Sequence, residues 1–162
     1  MIIIAHASRN WGIGKDNDLM FRLPKDMKFF RETTSGGVVI MGRRTLESFP
    51  NQKPLPNRVN IVISRNPDFA PEGVTVAHSV EEAREIAKTY TDKKIFVIGG
   101  AAIYKAMLPY CDTALITKVF EDADADSFIL DFDNAPDWEL VSQSDDIDDN
   151  GHTIRFTEYR RK

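Results

Sequence analysis

The chain has 162 residues, of which 42% are apolar and 28% charged, and its formal net charge is −4. This composition is typical of a soluble globular protein of one domain, 1–162, and no apolar run approaches the roughly 20 residues needed to span a bilayer. One cysteine and three histidines exclude a disulfide framework and make a zinc site implausible. The N-terminal stretch has no basic segment of the kind that opens a signal peptide, so we expect a cytoplasmic protein.

The charge is unevenly distributed along the chain. Residues 121–150 contain twelve acidic residues and neither lysine nor arginine, whereas residues 1–120 contain seventeen basic and twelve acidic residues. The basic part is too weakly charged to predict nucleic-acid binding but would suit a small anionic ligand. We interpret the acidic stretch as a solvated surface.

The first part of the chain predicts two strand–loop–helix units. An apolar run at 2–7 indicates a buried strand, and the glycine-rich segment 11–18 indicates a mobile loop. Pro24 favours the first turn of a helix that ends near Ser35. The apolar run 38–41 is a second strand, and after Gly42 a short helix is predicted to reach about Phe49.

Asp26 lies in the first turn of the predicted helix and shares a face with Phe30, with Met27 beside it. A carboxylate among apolar neighbours indicates either a charge that favours the helix N-terminus or a buried acid that binds a ligand. The residues alone leave both interpretations open.

The second part predicts further strands at 59–63, 73–77, 95–98, 113–120, 138–143 and 152–159. A helix follows Ser79 and Glu82, which form a capping-box pattern, and another covers 101–108 after the Gly99-Gly100 pair and before Pro109. The segment 148–151 is a hairpin-like turn between the last two strands, 138–143 and 152–159, which we expect to be antiparallel. The alternation predicts an α/β fold with a mainly parallel sheet of eight strands, about four helices and an antiparallel C-terminal edge.

Glycines follow two of the predicted buried strands, at Gly42 and at Gly99-Gly100, and each is followed by a helix. Such junctions either are ordinary tight turns or bring a phosphate against helix N–H groups. Arg43 and Arg44 open the first helix, and Arg65 follows the strand 59–63. Because ligands gather at the carboxyl ends of parallel strands, these arginines are candidate phosphate ligands.

Read together, the segments resemble the dihydrofolate reductase family from end to end. The matching stretches are WGIGKDND, LPKDMKFF, VVIMGRRTLESFP, PLPNRVNIVIS, IFVIGGAAIY and ALITKV, in that order. The resemblance implies an NADPH-dependent oxidoreductase that reduces 7,8-dihydrofolate to tetrahydrofolate for one-carbon metabolism. It also implies a monomeric antifolate target that binds neither nucleic acid, membrane nor metal.

The resemblance also assigns roles to individual residues. Asp26 would be the sole ionisable side chain at the pterin, supported by Thr117 through bridging water, and Arg58 would clamp the α-carboxylate of the glutamate tail. The remaining substrate residues would be Ile4, Ala5, Met27, Phe30 and Ile98. The cofactor residues would be Ala5, Ile13, Gly14, Gly42, Arg43, Arg44, Thr45, Ser64, Arg65, Ile98, Gly99, Gly100, Ala101, Ala102, Ile103 and Tyr104.

Within this resemblance, Arg44 and Arg65 would hold the 2′-phosphate, Tyr104 would lie beside the nicotinamide, and a cis peptide would join Gly99 to Gly100. A lid would extend from Ile13 to about Leu23.

The chain departs from the family pattern in the lid and the cleft. Phe21 replaces a tryptophan before the acid, and Met20 stands where proline is frequent, which predicts a looser lid. Asp126 matches an acid that contacts the lid in the family, but Ala125 replaces a common glycine and argues against that coupling. His6 lies in the first strand near the cleft, and we expect it to be a packed histidine.

Two alternatives remain beside this interpretation. A reductase of the riboflavin pathway would share the fold and the use of NADPH, but Asp26 and Arg58 argue against it. A catalytically silent nucleotide-binding module is the second alternative. A short-chain pterin reductase is disfavoured because Lys94, which completes a Tyr-x-x-x-Lys spacing from Tyr90, opens a strand.

Overall fold

The computed structural model describes all 162 residues, as a twisted sheet with helices on both faces. The four helices are α1 (Pro24–Thr34), α2 (Arg43–Glu47), α3 (Val80–Lys88) and α4 (Ala101–Met107). The strands are β1 (Ile2–Ala7), β2 (Gly12–Gly14), β3 (Val38–Gly42), β4 (Val59–Ile63), β5 (Thr75–Ala77), β6 (Ile95–Val97), β7 (Thr113–Val119), β8 (Ser127–Phe128), β9 (Trp138–Gln143), β10 (Ile147–Asp149) and β11 (His152–Arg161).

Eight strands lie side by side in the order β10-β11-β7-β1-β6-β3-β4-β5. The six from β7 to β5 are parallel, and β11 runs antiparallel to β7. The predicted mainly parallel sheet with an antiparallel C-terminal edge is therefore confirmed. A separate two-stranded ribbon pairs β2 with β8.

The central strands are apolar at every position because both faces of the sheet are covered. Successive side chains of a strand point to opposite faces, so Val38 and Ile40 join the core beneath α3 and α4, while Val39 and Met41 join the core beneath α1 and α2. All four are fully buried. This explains why these strands appear in the sequence as continuous apolar runs.

The C-terminal edge differs from the sequence-based prediction. The turn at 148–151 joins β11 to β10, a three-residue strand that the sequence did not reveal, and not to β9. β9 instead pairs with the second half of β11, across a register shift between Glu158 and Tyr159. The short strands β9 and β10 thus pair with the same edge of the long strand β11. A segment as short as β10 has too little periodicity to predict this pairing.

Two helix ends also differ in detail from the expected pattern. The Ser79 side chain accepts from the Glu82 N–H as predicted, but the Glu82 carboxylate accepts from the His78 N–H, one residue before the cap. α4 ends at Met107, and a 3₁₀ turn, Leu108–Tyr110, carries the chain through Pro109. None of the helices combines the length and apolar character needed to cross a membrane.

Candidate functional site

Asp26 is held in the first turn of α1 by residues distant in sequence. Leu23, the residue before the helix, makes no capping side-chain hydrogen bond. Asp149 of β10 takes that place, because its two carboxylate oxygens accept from the N–H groups of Lys25 and Asp26, at 3.0 and 3.1 Å. Asp149 is 1% exposed. The acidic stretch is therefore not only a solvated surface, and part of it fixes the start of the helix that carries Asp26.

The Asp26 carboxylate is buried and has a partner on each oxygen. Thr117 Oγ1 donates to Oδ1 at 2.6 Å, and His6 Nδ1 lies 3.3 Å from Oδ2. The side chain of Asp26 is 12% exposed and that of His6 is 6% exposed. The interpretation of Asp26 as a buried acid is therefore favoured over that of a solvated helix-capping charge.

Two expectations about this carboxylate are corrected by these contacts. Thr117 reaches Asp26 directly rather than through water. Asp26 is also not the only ionisable group, because His6 lies against it. His6 and Thr117 are register partners on the adjacent strands β1 and β7, so both side chains meet the same carboxylate.

The apolar residues expected around the acid differ in exposure. Phe30 and Ile98 are half-buried and pack against the core cluster that contains the buried Ile4. Ala5 packs on the opposite face of the sheet. Met27 is 56% exposed, so it lies at an open surface next to Asp26.

Arg58 lies at the other end of α1. Its Nη1 donates to Thr34 Oγ1 at 3.0 Å, and its Nε donates to the Pro56 carbonyl at 2.9 Å. Burial and the neighbouring charge of Arg31 both lower the pKa of Arg58. An arginine remains protonated under such shifts, so two guanidinium groups are close together without a counter-charge, which is an arrangement suited to an anion.

The two glycine junctions are in direct contact. The Gly42 N–H donates to the Gly99 carbonyl at 2.9 Å, and a Cβ on Gly42 would lie 3.1 Å from Ile103 Cγ1. The Gly99-Gly100 peptide is cis, and Gly99 has a φ of +117°, which residues with a side chain rarely adopt. Thr45 of α2 lies near Gly100, so the first turns of α2 and α4 meet at one edge of the sheet.

Tyr104 closes the space behind Gly99. Its ring would be 3.2 Å from a Cβ at that glycine, and its hydroxyl donates to the Ile4 carbonyl at 2.8 Å. Burial, and then the nearby charge of Asp26, raise the pKa of Tyr104. The phenol therefore stays protonated and remains a hydrogen-bond donor to β1.

The candidate phosphate ligands fall into two groups. Arg44 and Arg65 are exposed, and neither pairs with a carboxylate. Arg43 forms an ion pair with Glu47 at 3.2 Å and lies over the Phe69 ring. The hydroxyl of Ser64, which is buried, accepts from the Asn66 N–H. Among these candidate ligands, only the guanidinium groups of Arg44 and Arg65 have no protein partner.

The lid segment is attached to the acidic stretch. The Asp16 N–H donates to Asp126 Oδ2 at 2.9 Å, and the Asp126 N–H donates to the Gly14 carbonyl at 3.0 Å. Ala125 does not prevent this contact because residue 12 is glycine; a Cβ there would lie 2.5 Å from the Ala125 Cβ. The lid coupling that the sequence argued against is therefore present. Ile13 packs on the main core next to this contact.

Three residues at the site were not predicted from the sequence. His6 was expected only to pack in the protein interior. A histidine in an otherwise apolar strand is nevertheless a sequence signal for a functional residue. Arg31 lies after Asp26 on α1, and its charge is close to Arg58. The signal for it was a second positive charge near that arginine. Asp149 gave no signal, because only the tertiary structure places β10 against α1.

Comparison with known proteins agrees with this geometry. Residues 1–161 match the family model described as dihydrofolate reductase. The dihydrofolate reductase of Bacillus subtilis is 40% identical over 152 residues, which is 93% of this chain and 88% of that protein. The Staphylococcus haemolyticus enzyme is 34% identical, covering 92% of this chain and 88% of the relative. The solved structure of Enterococcus faecalis dihydrofolate reductase with NADP(H) and RAB-propyl superposes with a TM-score of 0.85 at 34% identity, covering 99% and 95% of the two chains.

Proposed function

The chain belongs to the dihydrofolate reductase family and reduces 7,8-dihydrofolate to 5,6,7,8-tetrahydrofolate with NADPH, and we propose that Asp26 is the residue on which this reaction depends. One observation carries the proposal. Asp26 is a carboxylate, 12% exposed, that is bonded only to neutral side chains or to an imidazole and contacts no lysine or arginine. A buried charge without a full counter-ion is costly and is typical of functional sites.

In this proposal Asp26 binds the amidine edge of the pterin and Arg58 binds the α-carboxylate of the glutamate tail. Thr34, which contacts Arg58, lies eight residues beyond Asp26 on the same helix. At the rise of an α-helix these positions are about 12 Å apart. A substrate with a donor-rich ring at one end and a carboxylate at the other can therefore lie along α1 and reach both groups.

The cofactor residues fit NADPH on two features of the structure. Arg44 and Arg65 offer unpaired guanidinium groups to phosphate. At Gly42 and Gly99 a side chain would approach Ile103 or Tyr104 closely, so glycine leaves the junction open to a ligand. Arg44 and Arg65 would hold the 2′-phosphate, while Thr45, Ser64, Gly100, Ala101 and Ala102 would surround the rest of the dinucleotide.

The protein's contribution to the chemistry is electrostatic and geometric. When bound, NADPH supplies the hydride that is added at C6, while a proton is added at N5. An anionic Asp26 in a low-dielectric cleft favours the protonated pterin by Coulomb attraction. Ile4, Ala5, Phe30 and Ile98 exclude bulk water from the rings. Because Asp26 binds the far edge of the pterin, we assign delivery of the N5 proton to a water molecule.

The lid would control that water. The lid contacts the acidic stretch through the hydrogen bond between Asp16 and Asp126. It contacts α2 through the Asn17 amide, which donates to the Arg44 carbonyl at 3.1 Å. These are exposed hydrogen bonds on a loop, which open more easily than core contacts. Opening of this lid would admit water, and its closure would align the two rings.

We also propose that the enzyme acts in the cytoplasm as a monomer of one domain. The proposal of a monomer is supported by the fact that the residues proposed for both substrates lie in a single chain. Folates and antifolate-type molecules would be its small-molecule partners. Size-exclusion chromatography with light scattering would test the oligomeric state.

The proposed activity is tested by following the fall in NADPH absorbance with two substrates. Dihydrofolate should support turnover, whereas a pyrimidinone precursor of riboflavin should not. Turnover of the pyrimidinone alone would favour a riboflavin-pathway reductase. Failure of both substrates, with NADPH still bound, would favour a silent nucleotide-binding module.

A further inference from the structure

His6 is the unexpected neighbour of the proposed catalytic carboxylate. It lies on β1 in register with Thr117 on β7, and side chains paired across neighbouring strands point to the same face. The two residues therefore hold opposite oxygens of Asp26, with His6 Nδ1 at 3.3 Å from Oδ2 and Thr117 Oγ1 at 2.6 Å from Oδ1.

The contact specifies which imidazole nitrogen carries the proton. A carboxylate only accepts hydrogen bonds, so His6 Nδ1 must be the donor. His6 Nε2 is buried and has no hydrogen-bond partner. His6 Nδ1, which faces the carboxylate, is therefore the nitrogen that carries the hydrogen-bonded proton.

The other groups around His6 do not compete for this role. The Phe21 ring lies tilted beside His6, with ring centroids 6.2 Å apart, and edge-on to His152 at 5.1 Å. His152 is paired with Glu121, away from Asp26. The Tyr104 hydroxyl is bonded to the Ile4 carbonyl. His6 is thus the one titratable side chain bonded to the Asp26 carboxylate, since Asp149 accepts from the Asp26 backbone N–H.

A single hydrogen bond does not fix an aspartate, because the terminal torsion of its side chain is broad and roughly two-fold. A donor on each oxygen restricts that rotation. We propose that His6 is a positioning residue: together with Thr117 it holds the Asp26 carboxylate in the orientation that meets the pterin edge. The proposal rests on the proposed role of Asp26, and it concerns orientation before substrate binds, which lowers the cost of forming the productive complex.

The test compares two replacements of the same side chain. In His6→Asn the amide nitrogen can donate from nearly the position of Nδ1, whereas His6→Leu keeps bulk but offers no donor. We expect His6→Leu to lower kcat/KM for dihydrofolate on the order of tenfold and His6→Asn to restore it to within about threefold of wild type. NADPH affinity should stay within about twofold in both variants, because His6 lies outside the proposed phosphate site.

His152→Leu is the matched control, since both imidazoles contact Phe21 but only His6 contacts Asp26. Its kcat/KM should remain within about twofold of wild type. A loss as large as that of His6→Leu would assign the effect to packing on Phe21 and overturn the proposal. Equal losses in His6→Leu and His6→Asn would overturn it too.

A spectroscopic measurement decides the question even if His6→Leu does not fold. The ¹⁵N chemical shifts of the imidazole in the wild-type protein should show a protonated Nδ1, and Asp26→Asn should weaken that preference. An unprotonated Nδ1 in the wild type would refute the proposal. Unimpaired turnover in Asp26→Asn would instead refute the role of Asp26 itself, so the two failures are distinguishable.

Discussion

The pterin end and the phosphate end of the proposed site differ in whether their charged groups are buried and bonded to the protein. Asp26 is buried, and both of its oxygens are bonded to protein groups. Arg44 and Arg65 are exposed, and their guanidinium groups have no protein partner. A buried charge must be partnered because its desolvation is costly, whereas water solvates an exposed cation. The buried end should therefore control rate through orientation, and the exposed end should control affinity through charge.

The largest effect is expected at the buried end. Asp26→Asn removes the charge but keeps the shape, so we expect kcat/KM for dihydrofolate near neutral pH to fall about 10²- to 10³-fold. NADPH affinity, measured by fluorescence titration, should remain within about twofold and serves as the control for folding. Turnover within about twofold of wild type would reject the proposed role.

Removal of both exposed arginines, Arg44→Ala with Arg65→Ala, should weaken NADPH binding about ten- to hundredfold, because a charge pair at an exposed site contributes about 1 kcal/mol. NADH, which lacks the 2′-phosphate, should lose far less. The difference should shrink with added salt. Arg160→Ala is the control, since Arg160 is 63% exposed on β11, away from the site. Equal losses for the two cofactors would contradict this assignment.

A smaller effect is expected for Arg58→Lys. The lysine keeps the charge but cannot form a bidentate pair with a carboxylate, so KM for dihydrofolate should rise about tenfold. Binding of pteroate, which has no glutamate tail, should be unchanged. An equal loss of affinity for folate and pteroate would show that Arg58 acts by stabilising α1 through its bond to Thr34, and not by binding the glutamate tail.

The smallest effect concerns stability alone. Burial by itself would raise the pKa of Asp133, but hydrogen bonds from Lys118 and Tyr159, with the charge of Lys118, lower it overall. A carboxyl group whose folded-state pKa is depressed stabilises the protein above its unfolded pKa of about 3.9 and loses that contribution as the pH falls through the folded value.

Urea unfolding of Asp133→Asn should therefore show a loss of about 1 kcal/mol at pH 7, a modest figure because the Asp133 side chain is 42% exposed. The difference in unfolding free energy between the variant and the wild type should decrease as the pH falls towards about 3. A difference that stays constant with pH would show that Asp133 stabilises the protein through its hydrogen bonds and not through its charge. Turnover should be unaffected.

The parallel half of the fold could be predicted from the sequence because its signals are local. Continuous apolar runs such as 38–41 predicted strands buried on both faces, and glycines after them predicted the junctions with the helices. The antiparallel edge was predicted less well. β10 is only three residues long and is defined by its partner β11, so its own sequence carries little information.

The proposed site divides in the same way. Residue type and spacing made Asp26 a candidate buried acid and the arginines after the strands candidate phosphate ligands, because both are local properties. The role of Arg58 came from the family resemblance. Only the tertiary structure placed His6 and Thr117 on the two oxygens of Asp26, and only it brought Asp149 to the start of α1. These contacts join residues 20, 91 and 123 positions apart. Packing of the sheet against α1 decides them, and no pattern within a single segment records that packing.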